Sequence, residues 1–209
     1  MSQVLYRKYR SKDFSQIFGQ EAIKKVLIQA LSDDKVAHAY LFTGPRGTGK
    51  TSMARILAKA LNCTDRKDSN PCNECANCIS INESRFMDLI EIDAASKRGI
   101  DEIRELKEKV GFLPVEGAFK VYIIDEVHML TSEAFNALLK TLEEPPNNVV
   151  FILATTEAHK LPHTIISRTQ RFDFRPASND QLFSKLSFIL KEEKISFERS
   201  ALELVIDTA

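Results

Sequence analysis

One short stretch of the chain carries residue types that could bind a phosphate chain. Residues 44–51 read G-P-R-G-T-G-K-T, which fits the pattern G-x-x-x-x-G-K-[ST]. Glycines let backbone N–H groups approach phosphate oxygens without a Cβ clash, and a helix that follows adds its positive N-terminal end. Lys50 supplies a charge for the β- and γ-phosphates, and Thr51 supplies a hydroxyl ligand for Mg²⁺. We expect ATP to bind Gly44, Pro45, Arg46, Gly47, Thr48, Gly49, Lys50, Thr51 and Ser52.

Two further runs end in polar residues that could complete such a site. The apolar run at 120–125 ends in Asp125, and Glu126 follows it. A carboxylate at the end of a buried parallel strand lies at the sheet edge where phosphates bind. We therefore predict that Asp125 holds Mg²⁺ through water, that Glu126 polarises the attacking water, and that His128 orients Glu126. Thr155 ends the next run, VVFILAT, where its hydroxyl could bond the γ-phosphate or the water.

The four cysteines suggest a separate metal site. Cys63, Cys72, Cys75 and Cys78 have the spacing C-x8-C-x2-C-x2-C in a polar, turn-rich segment. Four thiolates suit tetrahedral Zn²⁺, and with all four positions taken by the protein the site would be structural. Disulfides, a redox C-x2-C pair and an iron–sulfur cluster are the alternatives. A reducing compartment disfavours the disulfides.

The elements that must position these residues alternate along the chain. Strand-like runs lie at 39–43, 88–92, 120–125, 149–155 and 171–174. Helical spacing of apolar residues separates them, as in the face formed by Ile100, Ile103, Leu106 and Val110. Such alternation predicts an α/β fold with a central five-stranded parallel sheet covered on both faces. After Pro176 the pattern becomes helical and opens with the capping box Ser178-x-x-Gln181.

Composition places few further limits on function. The chain has 209 residues with 29 basic and 29 acidic side chains, so net charge favours neither a nucleic-acid nor a membrane partner. No apolar run approaches the length that spans a bilayer, and the N-terminus lacks the apolar core of a signal peptide. We expect a cytoplasmic protein.

Longer stretches resemble a known family. The matching segments are LYRKYR, FGQEAI, HAYLFTGPRGTGKTSMARILAKALNC, DLIEIDAAS, KVYIIDEVHMLTSEAFNALLKTLEEPP and FILATTEAHKLPHTIISR. They resemble the gamma/tau subunits of bacterial DNA polymerase III, which are AAA+ ATPase motors of the sliding-clamp loader. The resemblance implies an AAA+ P-loop domain over residues 1–177, with a zinc module inserted at about 63–80. Residues 178–209 would begin a helical lid domain that is incomplete at Ala209.

The resemblance also implies site residues that the patterns alone did not show. Arg168, in the segment IISR, would reach the ATP of a neighbouring subunit, although Thr169 stands where the family usually has cysteine. Tyr9 and Arg10, with the backbone near Ile17 and Phe18, would fold over the adenine.

Function and partners follow from the same resemblance. The chain would open the sliding clamp and load it onto primed DNA, assembled with delta, delta-prime and further gamma/tau copies. The polymerase core would join if the protein has the longer tau C-terminus. One alternative is a non-catalytic subunit resembling delta-prime, and Lys50, Asp125 and Glu126 argue against it. Another alternative is a P-loop kinase that transfers the phosphoryl group to a small molecule. Glu126, Thr155 and Arg168 favour water as the acceptor instead.

Overall fold

The computed structural model describes residues 4–95, 105–106 and 108–208. Two members of one predicted helix face, Ile100 and Ile103, lie outside the described residues. The other two, Leu106 and Val110, are buried. Within the described residues, no helix combines the length and the apolar composition needed to cross a bilayer.

Five parallel strands form one sheet. They are β1 Ala39–Thr43, β2 Leu89–Asp93, β3 Lys120–Asp125, β4 Val149–Thr155 and β5 Gln170–Asp173. Their order is β2-β3-β4-β1-β5, so β1 lies between β4 and β5. The predicted strands are confirmed, with β2 and β5 each displaced by one residue. This order brings the carboxyl ends of β1, β3 and β4 to neighbouring positions on one sheet edge.

Helices connect and cover the strands. They are α1 Leu5–Lys8, α2 Glu21–Ser32, α3 Lys50–Asn62, α4 Ala76–Asn82, α5 Ser132–Glu143, α6 His163–Ile166, α7 Asn179–Glu192 and α8 Arg199–Asp207. Single 3₁₀ turns occur at Phe14–Gln16, Val127–Met129 and Ala158–Lys160. Residues 105–106 and 108–110 are helical as well.

Two apolar layers enclose the sheet because its side chains alternate between faces. Tyr40 and Phe42 of β1 pack on the side of α2 and α3. Leu41, between them, packs on the opposite side with α5, where Phe135 and Leu138 are buried. Burial on both faces explains why β3 and β4 are apolar throughout. The apolar layer on the α2 and α3 face of the sheet thus supports α3 and the phosphate loop that precedes it.

The C-terminal helices pack beside the sheet domain. The predicted capping box is confirmed, because the Ser178 hydroxyl accepts from the Gln181 backbone while the Gln181 side chain accepts from the Ser178 backbone. Helices α7 and α8 contact each other, and Leu202 and Ile206 of α8 are buried. That this pair begins a lid domain stays a prediction.

Candidate functional site

The loop between β1 and α3 needs glycine at three positions. Gly44, Gly47 and Gly49 have φ values of 141°, 78° and 93°, which side chains rarely adopt. A Cβ on Gly44 would also lie 2.4 Å from the backbone oxygen of Phe174. Gly49 immediately precedes α3 and is its N-cap. The loop therefore keeps backbone N–H groups accessible at the positive end of that helix.

Lys50 folds back over this loop. Its Nζ donates to the carbonyl oxygens of Gly44 and Pro45, each at 2.7 Å. Burial lowers the pKa of Lys50, and the charges of Glu126 and Asp125 oppose that effect. The ammonium group is thus held within the loop by neutral acceptors, which phosphate oxygens could replace.

The two predicted magnesium ligands meet across the sheet edge. Thr51 Oγ1 donates to Asp125 Oδ2 at 2.6 Å. Asp125 Oδ1 accepts from the backbone N–H of Glu126 at 2.9 Å. A hydroxyl and a carboxylate are hard oxygen donors, which Mg²⁺ prefers. These residues fit a magnesium site in which both groups bind one ion directly or through water.

Glu126 lies beside this pair in a strained conformation. Its φ is 48°, in the left-handed region that non-glycine residues rarely adopt. Its carboxylate accepts from Thr156 Oγ1 at 3.2 Å, and Arg46 Nε lies 3.7 Å away. A cavity of about 280 Å³ is lined by Arg10, Arg46, Gly47, Gly49, Lys50, Thr51, Ser52, Asp125 and Glu126. The structure therefore brings the loop and both carboxylates into one polar space.

Thr155 lies at the end of β4 but is fully buried. Its hydroxyl oxygen is 2.9 Å from His128 Nδ1 and accepts from the Glu157 backbone N–H at 2.9 Å. The carbonyl oxygen of Thr155 accepts from the Gly44 N–H, which ties β4 to the loop. Thr156 and Glu157 were not predicted from the sequence. The available signal was that two polar residues directly follow an apolar strand.

The predicted adenine contacts lie in two different environments. Arg10 lines the loop cavity, and its Nε is 3.4 Å from Ser52 Oγ. Tyr9 instead donates its hydroxyl to Glu193 Oε1 at 2.7 Å and packs edge-on against Phe188. Tyr9 therefore links the N-terminal segment to α7, and its role with adenine stays a prediction.

Arg168 is not among the residues that line this cavity. It lies between α6 and β5, where its Nη1 donates to the Thr164 carbonyl at 2.9 Å. Its Nη2 pairs with Glu143, the last residue of α5, at 2.8 Å. About a third of the side chain is exposed. Its proposed action on a neighbouring subunit stays a prediction.

The four cysteines converge on a common centre. Their sulfur atoms all lie within 4.8 Å of one another. Cys63 and Cys72 are 3.5 Å apart, Cys72 and Cys78 3.9 Å, and Cys63 and Cys75 4.0 Å. A zinc tetrathiolate with bonds of about 2.3 Å has sulfur–sulfur edges of about 3.8 Å. The cluster therefore fits Zn²⁺, and the separations are too long for disulfide bonds.

Backbone hydrogen bonds support these sulfur atoms. The N–H of Cys72 donates to Cys63 Sγ and that of Cys75 to Cys72 Sγ, each at 3.3 Å. The N–H of Cys78 donates to Cys75 Sγ at 3.5 Å. Such bonds orient metal ligands and partly compensate the negative charge of thiolates.

The cysteine segment is attached to the far end of α3. Lys59, almost fully buried, donates to Asn73 Oδ1 at 2.6 Å and Asn82 Oδ1 at 2.8 Å. Burial lowers the pKa of Lys59 to about 8. Asn77 Nδ2 also donates to the Asn62 carbonyl at 2.9 Å. One helix thus joins the phosphate loop at its start to the cysteine cluster at its end.

The sheet order and the loop after β1 define an AAA+ P-loop fold. Solved structures agree with this class. A DNA polymerase III gamma subunit-related protein from Thermotoga maritima superposes with a TM-score of 0.59 at 25% identity, over 80% of this chain and 51% of that one. The RuvB Holliday junction branch migration motor of the same organism superposes with a TM-score of 0.67 at 19% identity, over 95% of this chain and 59% of that one. At this identity the likeness shows the fold alone.

Sequence comparison identifies the family. The family model described as "DNA polymerase III, delta subunit" matches residues 19–178, and the chain belongs to this family of DNA polymerase III subunits. The chain is 54% identical over 207 residues to the tau subunit of Bacillus subtilis and 50% identical over 207 residues to that of Escherichia coli. Each match covers 99% of this chain, but only 37% and 32% of the relatives. The resemblance to gamma/tau subunits is confirmed.

Proposed function

We propose that the chain is the ATP-binding and ATP-hydrolysing motor subunit of a bacterial DNA polymerase III clamp loader. The observation that carries this proposal is the 2.6 Å contact between Thr51 and Asp125, with Glu126 beside them in the cavity that Lys50 also lines. A subunit that only bound its neighbours would not need this arrangement. The chain spans about a third of the length of the curated relatives named above, so the activity of the whole protein belongs to this proposal.

The proposed binding step uses the loop and Lys50. Backbone N–H groups at the start of α3 receive the phosphate oxygens, and the glycines allow the close approach. Lys50 Nζ exchanges the carbonyl oxygens of Gly44 and Pro45 for charged phosphate oxygens, which are stronger acceptors. Arg10 and Ser52 line the cavity beside this position.

The proposed hydrolysis step uses Glu126 as the general base. Its carboxylate is anchored by Thr156, so that one oxygen can accept a proton from the attacking water. Thr51 and Asp125 would hold Mg²⁺, which would offset charge on the β- and γ-phosphate oxygens. Arg168 of a neighbouring copy would supply the remaining positive charge, because Arg168 lies outside the chain's own cavity.

Zinc and partner subunits complete the proposal. The four cysteines would hold Zn²⁺ as a structural ion with no open position for water. The partners are delta, delta-prime, further gamma/tau copies, the sliding clamp and primed DNA, with the polymerase core added in a tau-length protein. The non-catalytic alternative would require a site that does not hydrolyse ATP.

ATP hydrolysis distinguishes these two functions. Turnover should be very slow for the chain alone and should rise when partner subunits, primed DNA and clamp are added. The partner subunits, primed DNA and clamp without this chain supply the background rate. A full assembly whose rate does not exceed this background would support the non-catalytic subunit instead.

A further inference from the structure

A buried histidine joins three groups at the carboxyl edge of the sheet. His128, whose side chain is 6% exposed, lies in the 3₁₀ turn that follows β3. Its Nε2 is 3.0 Å from Glu157 Oε2, and its Nδ1 is 2.9 Å from Thr155 Oγ1. The same Nδ1 lies 3.5 Å from Glu126 Oε2. The proton on this ring therefore affects both proposed catalytic side chains.

Glu157 determines which ring nitrogen carries that proton. Lys160 pairs with the other carboxylate oxygen of Glu157 at 2.8 Å, and this hydrogen bond lowers the pKa of Glu157, with the charge of Lys160 contributing. An ionised carboxylate only accepts hydrogen bonds, so the bridging proton lies on Nε2. The neutral ring then has an unprotonated Nδ1.

The hydrogen bonds of Thr155 agree with this arrangement. Its hydroxyl oxygen already accepts from the Glu157 backbone N–H. The one hydroxyl proton is therefore free to be donated to His128 Nδ1, which requires that nitrogen to be an acceptor. Both the side chain and the backbone of Glu157 thus favour the same direction of hydrogen bonding.

An unprotonated Nδ1 also leaves the Glu126 carboxylate without a hydrogen bond from the His128 ring. A proton on that nitrogen would donate to Thr155 Oγ1 or to the nearby Glu126 carboxylate, and it would occupy a lone pair of the general base. We propose that Glu157 is a positioning residue that acts through His128, keeping a hydrogen-bond donor away from Glu126 and directing the Thr155 hydroxyl. The inference rests on the proposed function, because it deepens the account of the same site.

Nuclear magnetic resonance tests the first part without any hydrolysis. Long-range ¹H–¹⁵N spectra of the 209-residue chain should show His128 as the Nε2–H tautomer in the wild type. In Glu157→Met, which keeps the side-chain length and removes the acceptor, the Nδ1–H form should appear. Glu157→Gln, which can still accept through its carbonyl, should fall between them and serves if Glu157→Met does not fold.

Kinetics test the second part in the full assembly. Glu157→Met should lower kcat by about 10-fold or more, the scale seen when a carboxylate that orients a histidine is removed. ATP affinity should stay within about twofold, since no phosphate contact changes. In a His128→Phe background, Glu157→Met should have no further effect, because residues that act as a unit are not additive. The matched control is His159→Gln, an exposed neighbouring histidine, with unchanged kcat.

The outcomes separate the inference from the proposed function. An unchanged tautomer or an unchanged kcat in Glu157→Met overturns the positioning role, as do additive effects with His128→Phe. Equal losses of kcat and ATP affinity overturn it too, since they indicate general disruption. If instead the wild-type assembly does not hydrolyse ATP while the tautomer changes as expected, the proposed function fails and the hydrogen-bond arrangement stands.

Discussion

Thr51 Oγ1 lies 2.6 Å from Asp125 Oδ2, although 74 positions separate the two residues in the chain. Thr51 is in the first turn of α3, and Asp125 ends β3. Their contact places a hydroxyl and a carboxylate where one small cation can reach both.

Removing the Thr51 hydroxyl should weaken the magnesium-dependent part of ATP binding. Thr51→Val keeps the shape of the side chain but loses one oxygen ligand. We expect ATP affinity with Mg²⁺ to fall roughly tenfold, on the scale of a lost metal-site contact, and affinity in EDTA to change much less. Titration calorimetry measures both, with Thr51→Ser as the matched control. Equal losses with and without Mg²⁺ would contradict the assignment.

Replacing Lys50 should reduce ATP affinity directly. Lys50→Ala removes the cation that faces the phosphates, and a charged hydrogen bond contributes about 1.5–3 kcal/mol, or roughly 10- to 100-fold. Lys50→Met retains the buried stem and should show the same loss if charge is the cause. Lys35→Ala, at an exposed position, is the control. Fluorescent-nucleotide binding that matches the wild type in Lys50→Met would exclude Lys50 from the site.

Glu126→Gln should separate binding from hydrolysis. The amide retains the size of the side chain and can still accept from Thr156, but it cannot take a proton from water. We expect ATP affinity close to that of the wild type and a loss of turnover of about 10²-fold or more, the usual scale for a general base. Single-turnover assays in the full assembly measure this. Turnover near the wild-type rate would show that Glu126 is not the base.

Arg168→Ala should impair the adjacent site and spare the mutant's own site. Arg168 is held by Glu143 and the Thr164 carbonyl, outside its own cavity. Arginines that reach the nucleotide of a neighbouring molecule in this way increase hydrolysis rates by about 10³–10⁵-fold in related enzymes. Mixed assemblies, with the mutation next to an intact site, locate the loss, and Arg171→Ala is a nearby arginine control. Loss at the mutant's own site would show that Arg168 acts within its own subunit.

Purified protein should contain about one zinc ion per chain, since four thiolates complete one tetrahedral site. Chelation should unfold residues 63–78, in which only Pro71 and Cys78 are buried, while the phosphate loop still binds ATP. Elemental analysis and circular dichroism measure the two effects, and Cys75→Ser should reproduce the effect of chelation. Metal-free protein with four reactive thiols and unchanged stability would rule out a structural zinc.

Much of the site could be predicted because its signals are local. The glycines, Lys50 and Thr51 are consecutive, and their spacing reflects one turn at a helix start. Asp125 and Thr155 were predictable because apolar runs in a parallel sheet end at a common edge. The strands were predictable for the same reason, since burial on both faces leaves continuous apolar runs. The cysteine spacing likewise predicted that the four sulfur atoms would lie together, as in a tetrahedral metal site.

Other contacts depended on how distant segments pack. The bond between Tyr9 and Glu193 joins residues 184 positions apart, and no periodicity relates them. The sheet order places β4 beside both β3 and β1, which brings Glu157 to His128 and Thr155 to the loop. The ion pair between Arg168 and Glu143 likewise follows from the packing of α5 against α6. Local patterns specify which residues can form hydrogen bonds, whereas the tertiary fold determines which donor meets which acceptor, because only packing brings remote side chains within 3 Å.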